Sequence, residues 1–228
     1  MVIGSGLLAK IFAKYNDVTD IIIFASGVSN SKETNPKAYK REFDLLKETS
    51  KRYPEAKLVY FSSASITDTS VSHNAYVKHK LAIEQYIKTK IPRYLILRVS
   101  NVVGAKGNPN TIMNFLVAAV KEQQPITLWT KAERNIIDVE DVFFIVDSLL
   151  TKAIGNTTVN IAVRNSIRVQ DLLMQIECFI GQKAQVSYQD KGSALVIPIG
   201  DISCELNAVE LNYGRGQAYI NHLLKKYY

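Results

Sequence analysis

Tyr76 and Lys80 stand four residues apart in Tyr76-Val77-Lys78-His79-Lys80, a spacing that puts a phenol and an ammonium on one face of a helix. An ammonium beside a phenol favours the phenolate, which would make Tyr76 a proton donor or acceptor near neutral pH. Upstream, the apolar run Val59-Tyr60-Phe61 ends in Ser62-Ser63-Ala64-Ser65, so the Ser63 hydroxyl lies at the carboxyl end of a buried strand, where it can hydrogen-bond a substrate oxygen beside Tyr76. A tyrosine and lysine at this spacing occur by chance on many surface helices. Strand, serine, short loop and tyrosine helix in that order are much rarer.

Two further segments carry glycine where backbone must come close to something. Ile3-Gly4-Ser5-Gly6-Leu7-Leu8-Ala9 is a glycine turn between a strand and a helix; it makes Gly4, Ser5, Gly6 and Leu7 candidates for a pyrophosphate seated on the helix's positive end. The next strand ends in Phe24-Ala25-Ser26-Gly27, and Ala25, Ser26 and Gly27 leave room at the carboxyl edge of the sheet, where ligands bind in open α/β folds. Plain strand-on-helix packing is the alternative at both places.

The elements that must position these residues alternate. A strand stub at Met1 to Ile3 precedes a short helix at Leu7 to Tyr15, and Asp20 to Ala25 is an uninterrupted β-branched run of the kind covered on both faces of a sheet. A helix entered through Pro36 runs from Asn35 to Arg52, followed by a strand at Lys57 to Ser62, a helix at His73 to Lys90 and a strand at Tyr94 to Arg98. Asn108-Pro109 is expected to cap and open a helix reaching about Gln123. Thereafter the pattern predicts strands at Ile126 to Trp129, Asn135 to Asp138, Thr157 to Ile161 and Ala184 to Tyr188, with helices at Val139 to Thr151, Val169 to Ile180 and Gln217 to Lys226. Strand-helix alternation demands a parallel sheet with helices on both faces.

The 228 residues suffice for one domain with a well-buried α/β core. Apolar stretches are strand-sized or broken by charge, far short of the roughly 20 residues of a membrane span, and no signal-peptide pattern precedes the first glycines. Cys178 and Cys204 form neither a C-x-x-C pair nor a Cys/His cluster, which argues against a disulfide framework or a metal site and fits a reducing cytoplasm. Cys178 reads as a core residue, and His73, His79 and His222 read as solvated. The formal charge of +7 comes from 28 Lys and Arg residues spread along the chain, a pattern of solvated faces and phosphate attraction more than of a nucleic-acid stripe.

The glycine turn, Val59 to Ser65, Tyr76 to Glu84 and Arg98-Val-Ser-Asn-Val-Val-Gly104 together resemble the extended short-chain dehydrogenases/reductases, the NAD-dependent epimerase/dehydratase group acting on nucleotide sugars. Arg134-Asn-Ile-Ile-Asp-Val-Glu-Asp-Val142 is similar to that family's segment after the substrate loop, and the likeness spans roughly residues 1 to 190. The resemblance implies a Rossmann-like doubly wound parallel sheet and a small C-terminal substrate-binding lobe drawn mainly from about 104–135 and 160–228. It implies NAD or NADP as cofactor, a nucleotide-linked keto-sugar as substrate, a role in surface polysaccharide synthesis, and a homodimer. Carried over, Ser63 polarises the substrate oxygen, Tyr76 is the acid/base, and Lys80 holds the nicotinamide ribose; Ser65, Asn101 and Arg134 face the substrate, Asn101 and Arg134 toward its diphosphate.

The pattern breaks in places. Only about a dozen residues separate Ala9 from the strand at Asp20, so the family's usual second and third strands are missing, and with them the residue that reads the adenosine ribose. In a sheet ordered 3-2-1-4-5-6 those strands form one edge, so 1-4-5-6 remains contiguous and foldable, with the first strand exposed. Glu42 and Phe43 occupy the stretch where the family carries an asparagine. Thr67 replaces a tyrosine, and Asp138 a histidine.

Overall fold

Alternating β-branched runs and helices fold as a parallel sheet covered on both faces. The computed structural model describes residues 1–68 and 73–228. In chain order, β1 (Val2–Ile3) leads to α1 (Leu7–Ile11), β2 (Ile21–Phe24), α2 (Pro36–Arg52), β3 (Lys57–Ser63), α3 (Ala75–Lys90) and β4 (Tyr94–Val99). Then come β5 (Asn101–Val103), α4 (Ile112–Glu122), β6 (Ile126–Trp129), β7 (Glu133–Arg134), β8 (Ile136–Asp138), α5 (Val139–Thr151) and β9 (Thr157–Ile161). The chain closes with β10 (Ile167–Arg168), α6 (Val169–Ile180), β11 (Val186–Gln189), α7 (Ser203–Tyr213) and α8 (Gln217–Tyr227).

Five strands pair in parallel in the order β1-β2-β3-β4-β9. Among the described residues no strand lies outside β1, so the edge left by the missing strands is the one expected. Side chains alternate across a strand, and β3 shows it: Leu58 and Tyr60 join Leu46, Ile83 and Ile87 under α2 and α3. Val59 and Phe61 face the other way, against Phe12 and the α5 residues Val142, Ile145 and Val146. A second core, built from Met113, Leu116, Leu172, Ile176, Leu223 and Leu224, joins α4, α6 and α8 to β6. No helix among the described residues is long and apolar enough to cross a membrane.

Several boundaries depart from the sequence reading. The first helix stops at Ile11 and tightens into a 3₁₀ turn at Ala13–Tyr15, which turns both Phe12 and Tyr15 into the core. Asn108 does not open α4: its side chain accepts from the Asn110 amide at 2.9 Å and its carbonyl from Thr111, closing a separate turn, so the helix begins after Thr111. Cys178 is exposed, because α6 turns Leu172, Leu173 and Ile176 inward and leaves Cys178 on another side. Helix α7 escaped the reading although Ile202, Leu206 and Val209, all buried, repeat at helical spacing.

The last helix is latched to the start of α5 by buried polar groups. Asp138, the N-cap of α5, accepts from the Glu140 amide at 2.9 Å, from Tyr227 at 2.7 Å and from Lys226 at 2.8 Å. Tyr219 accepts from the Asp138 amide at 2.9 Å and donates to the Asp141 carboxylate. Burial, with Asp138 and Glu140 close by, pushes the Asp141 carboxyl up to about 6, against the hydrogen bond from Tyr219 and the charge of Lys226. A carboxyl raised on folding binds its proton more tightly in the native state, so its own contribution to stability is fullest below about pH 4 and is lost as pH rises to about 6. Asp141→Asn keeps an acceptor for Tyr219 and removes the charge. Its thermal midpoint is expected to match wild type near pH 4 and to exceed it at pH 7, by up to about 3 kcal/mol of stability. Parallel melting curves for the two proteins across that range would refute the assignment.

Candidate active site

Helix α3 delivers the tyrosine. Its N-cap is Asn74, whose side chain accepts from the Tyr76 amide at 2.8 Å and so fixes the backbone of the first turn. The Tyr76 ring is buried against Val28, Val77, Tyr39 and Ile66, and among the described residues its hydroxyl has no hydrogen-bond partner. Ser63 ends β3 and caps the turn that follows: its Oγ accepts from the Ser65 amide at 3.2 Å and lies 2.7 Å from the Ser65 hydroxyl. Ile66, in that same turn, brings the serine segment onto the tyrosine cluster. The loop expected between serines and helix includes residues 69–72, which lie outside the described ones.

One turn further, Lys80 is buried, its ammonium 5.7 Å from the Tyr76 ring centre. The ammonium donates to Glu42 Oε1 at 2.8 Å, to the Tyr60 hydroxyl at 3.1 Å and to the Phe61 carbonyl at 3.4 Å. Glu42, fully buried on α2, also accepts from Tyr60 at 2.7 Å, from the Val28 amide at 2.7 Å, and lies 3.0 Å from His79 Nε2. Burial alone would push the Glu42 carboxyl up, but the Lys80 charge and the hydrogen bonds from His79, Lys80 and Val28 outweigh it and hold it at about 2. His79 is therefore not solvated: its ring packs on Tyr39 at 4.6 Å, turned toward α2 by the same helix face that buries Lys80. His222 is also drawn in, stacked 4.2 Å from Tyr213. His73 is exposed, as expected.

The glycines divide by what they face. Gly4 has a φ of +133°, and a Cβ there would lie 2.4 Å from the Ala25 carbonyl, so its first duty is to let β1 close on the end of β2. Gly6 faces open space beside Ser5 and the start of α1. Gly27 sits directly over the ion pair, where a Cβ would come within 2.8 Å of Glu42 Oε1 and 2.9 Å of Lys80 Nζ. Ser26 is overlain by Arg41, whose guanidinium reaches its carbonyl at 3.1 Å. Arg41 was not singled out by sequence; its position, one residue before Glu42 on the helix following the small-residue strand, was the available signal.

The substrate candidates are split between scaffold and cleft. Asn101 on β5 donates its side-chain amide to the Asn135 carbonyl at 2.9 Å, and Asn135 in turn holds the Val163 backbone from both sides. Arg134 on β7 is partly buried; burial pushes its guanidinium down, while the nearby Asp68 charge pushes it back up. Arg134 also donates to the Glu133 carbonyl at 2.6 Å, and Asp68 follows the turn that carries Ser65.

A sheet of this order, with serine at its carboxyl edge and a tyrosine-lysine helix beside it, defines a Rossmann-like fold of the extended short-chain dehydrogenase type. The model of the NAD dependent epimerase/dehydratase family matches residues 4–162, and the chain belongs to that family. Solved structures agree on the fold. The dTDP-glucose 4,6-dehydratase of Bacillus anthracis, solved with NAD, superposes with a TM-score of 0.65 at 18% identity over 96% of this chain and 76% of its own. UDP-glucose 4-epimerase of Thermus thermophilus, also with NAD, gives 0.65 at 16% identity over 97% and 83%. The UDP-glucuronic acid 4-epimerase of Bacillus cereus gives 0.67 at 17% over 95% and 75%. No curated protein sequence matches the chain.

Because Gly27 abuts the ion pair and Gly6 abuts nothing, equal substitutions should have unequal effects. Gly27→Ala is expected to cost about 1–3 kcal/mol in urea unfolding, the usual range for overpacking, against roughly 0.5 kcal/mol or less for Gly6→Ala. Equal losses at the two positions would show that Gly27 does not press on the pair.

Proposed function

We propose that the chain is an NAD(P)-dependent oxidoreductase or epimerase acting on a nucleotide-linked keto-sugar, a cytoplasmic homodimer serving surface polysaccharide synthesis. The observation that carries this reading is a tyrosine hydroxyl without a hydrogen-bond partner among the described residues, on a capped helix turn, packed against the serine segment at the carboxyl edge of the sheet. The residues present leave room for a dinucleotide at the glycine turn, where Gly6 opens on free space beside Ser5 and the start of α1, while Gly27 lies directly against Lys80 and its partner Glu42. The adenosine end has no strand outside β1 among the described residues, so the family's ribose-reading position is not available to set a preference between NAD and NADP.

In this reading the nicotinamide supplies hydride exchange with a sugar carbon. Tyr76 gives or takes the proton of the sugar oxygen, and Ser63 hydrogen-bonds that oxygen as charge develops on it. Lys80 stands behind the phenol. Ser65 would meet the sugar, and Asn101 and Arg134 the diphosphate, whose oxygens an arginine fork can meet with two charge-assisted bonds. The three solved relatives act on dTDP- or UDP-linked sugars by name, which supports the nucleotide-sugar class.

A second reading, a non-catalytic nucleotide-binding or regulatory member of the family, draws support from the missing edge strands and from the full set of internal partners at Lys80. Turnover separates the two. Tyr76→Phe should lower kcat by about 10²- to 10⁴-fold while leaving the Kd for cofactor in calorimetric titration unchanged, as befits a group that acts in proton transfer. Unchanged turnover in that variant would sink the mechanism. Cofactor retained through purification points to an epimerase, and stoichiometric consumption of added NAD(P)H to a reductase.

A further inference from the structure

We propose that the Glu42 carboxylate is an internal occupant of the ligand position at Lys80, and that it thereby sets how tightly the chain holds a ribose-bearing nucleotide; the inference rests on the cofactor reading above. An ammonium has three protons to donate. At Lys80 they meet three acceptors: Glu42 Oε1 at 2.8 Å, Tyr60 at 3.1 Å and the Phe61 carbonyl at 3.4 Å. Lys80 is only 2% exposed and Glu42 0%, so water does not compete for either. Nothing remains on Lys80 for an incoming hydroxyl unless an existing bond is given up.

The bond to be given up is identified by position. The Phe61 acceptor is a backbone carbonyl of the central strand and Tyr60 is a fully buried ring on that strand whose hydroxyl is itself bonded to Glu42, whereas Glu42 is a side chain on α2. The pair lies immediately under Gly27, whose missing side chain would touch both Glu42 Oε1 and Lys80 Nζ. That is the carboxyl end of a parallel strand, where ligands lie in open α/β sheets. A ribose offers two vicinal hydroxyl oxygens to the ammonium; Glu42 offers a full negative charge at closer range. A neutral diol loses that contest, and the carboxylate, being nearly always ionised, does not yield by protonation.

Making the occupant neutral should therefore improve binding. Glu42→Gln leaves a buried ammonium without its counter-charge, a state that a ligand bringing hydroxyls and a diphosphate relieves. NADH and NADPH fluorescence titrations are to be run on wild type, Glu42→Gln and Glu42→Asp, with thermal midpoints recorded with and without nucleotide. Glu42→Gln is expected to bind at least about tenfold more tightly than wild type, the gain expected when one charge-assisted contact stops competing, and to show the larger nucleotide-induced rise in midpoint. Glu42→Asp keeps the charge on a shorter arm, and should fold even where Glu42→Gln does not; a smaller gain in affinity is expected of it. A merely structural Glu42 would lower stability and never raise affinity. Wild-type binding with equal or weaker binding by both variants overturns the inference and leaves the cofactor reading standing. Absence of binding by all three proteins at millimolar nucleotide overturns the cofactor reading itself.

Discussion

A single buried carboxylate ties together the elements that place the tyrosine and lysine of the candidate site. Glu42 reaches from α2 to the Val28 amide in the loop after β2, to the Tyr60 hydroxyl on β3, and to His79 and Lys80 on α3. Burying a lone charge would be prohibitive, so its position depends on all these partners being present together. The reverse holds as well. Without Glu42 the Val28 amide, the Tyr60 hydroxyl and the Lys80 ammonium would each lose a partner in an interior where replacement by water is closed off.

That arrangement accounts for how the chain tolerates the loss of two strands. They would have stood beyond β1, on the far side from β4 and β9, whereas the polar cluster sits between β2, β3 and the two helices on one face. The remaining edge is short, two residues of β1 paired only to β2, and short edges recruit few partners. What the loss removes is ligand-facing surface, not support for Tyr76.

Much of this was legible because it is local. β-branched runs predicted the central strands, Pro36 marked the entry to α2, and the four-residue step from Tyr76 to Lys80 marked a shared helix face. The partners of that face were not legible, because they come from α2, about 38 residues away in the chain for the Lys80 bond, and no period in a sequence reports which helices pack together. Glu42 stood out only as a departure from a family pattern, and His79 read as a solvated residue since the three histidines form no cluster in the sequence. Arg134 was read by resemblance as a contact of the diphosphate, and its neighbour Asp68 follows from tertiary contact alone.

Helix α3 shows why a polar face can be a buried one. Tyr76, Lys80 and Glu84 follow one another at four-residue steps, and all three are buried together with Ile83 and Ile87. Glu84 repeats one layer down what Glu42 does above: it accepts from Ser62 at 2.7 Å and from Arg98 through two bonds at 2.9 and 2.7 Å, linking the helix to β3 and β4. The hydrogen bond to Glu84 in turn raises the Arg98 guanidinium above its ordinary range. Two carboxylates of different origin, one brought by α2 and one carried on α3 itself, thus pin the same helix at successive turns. A helix held only by apolar packing can slide or rotate at small cost between neighbouring grooves, but one whose buried charges must meet fixed donors has one register. The tyrosine at its first turn inherits that register.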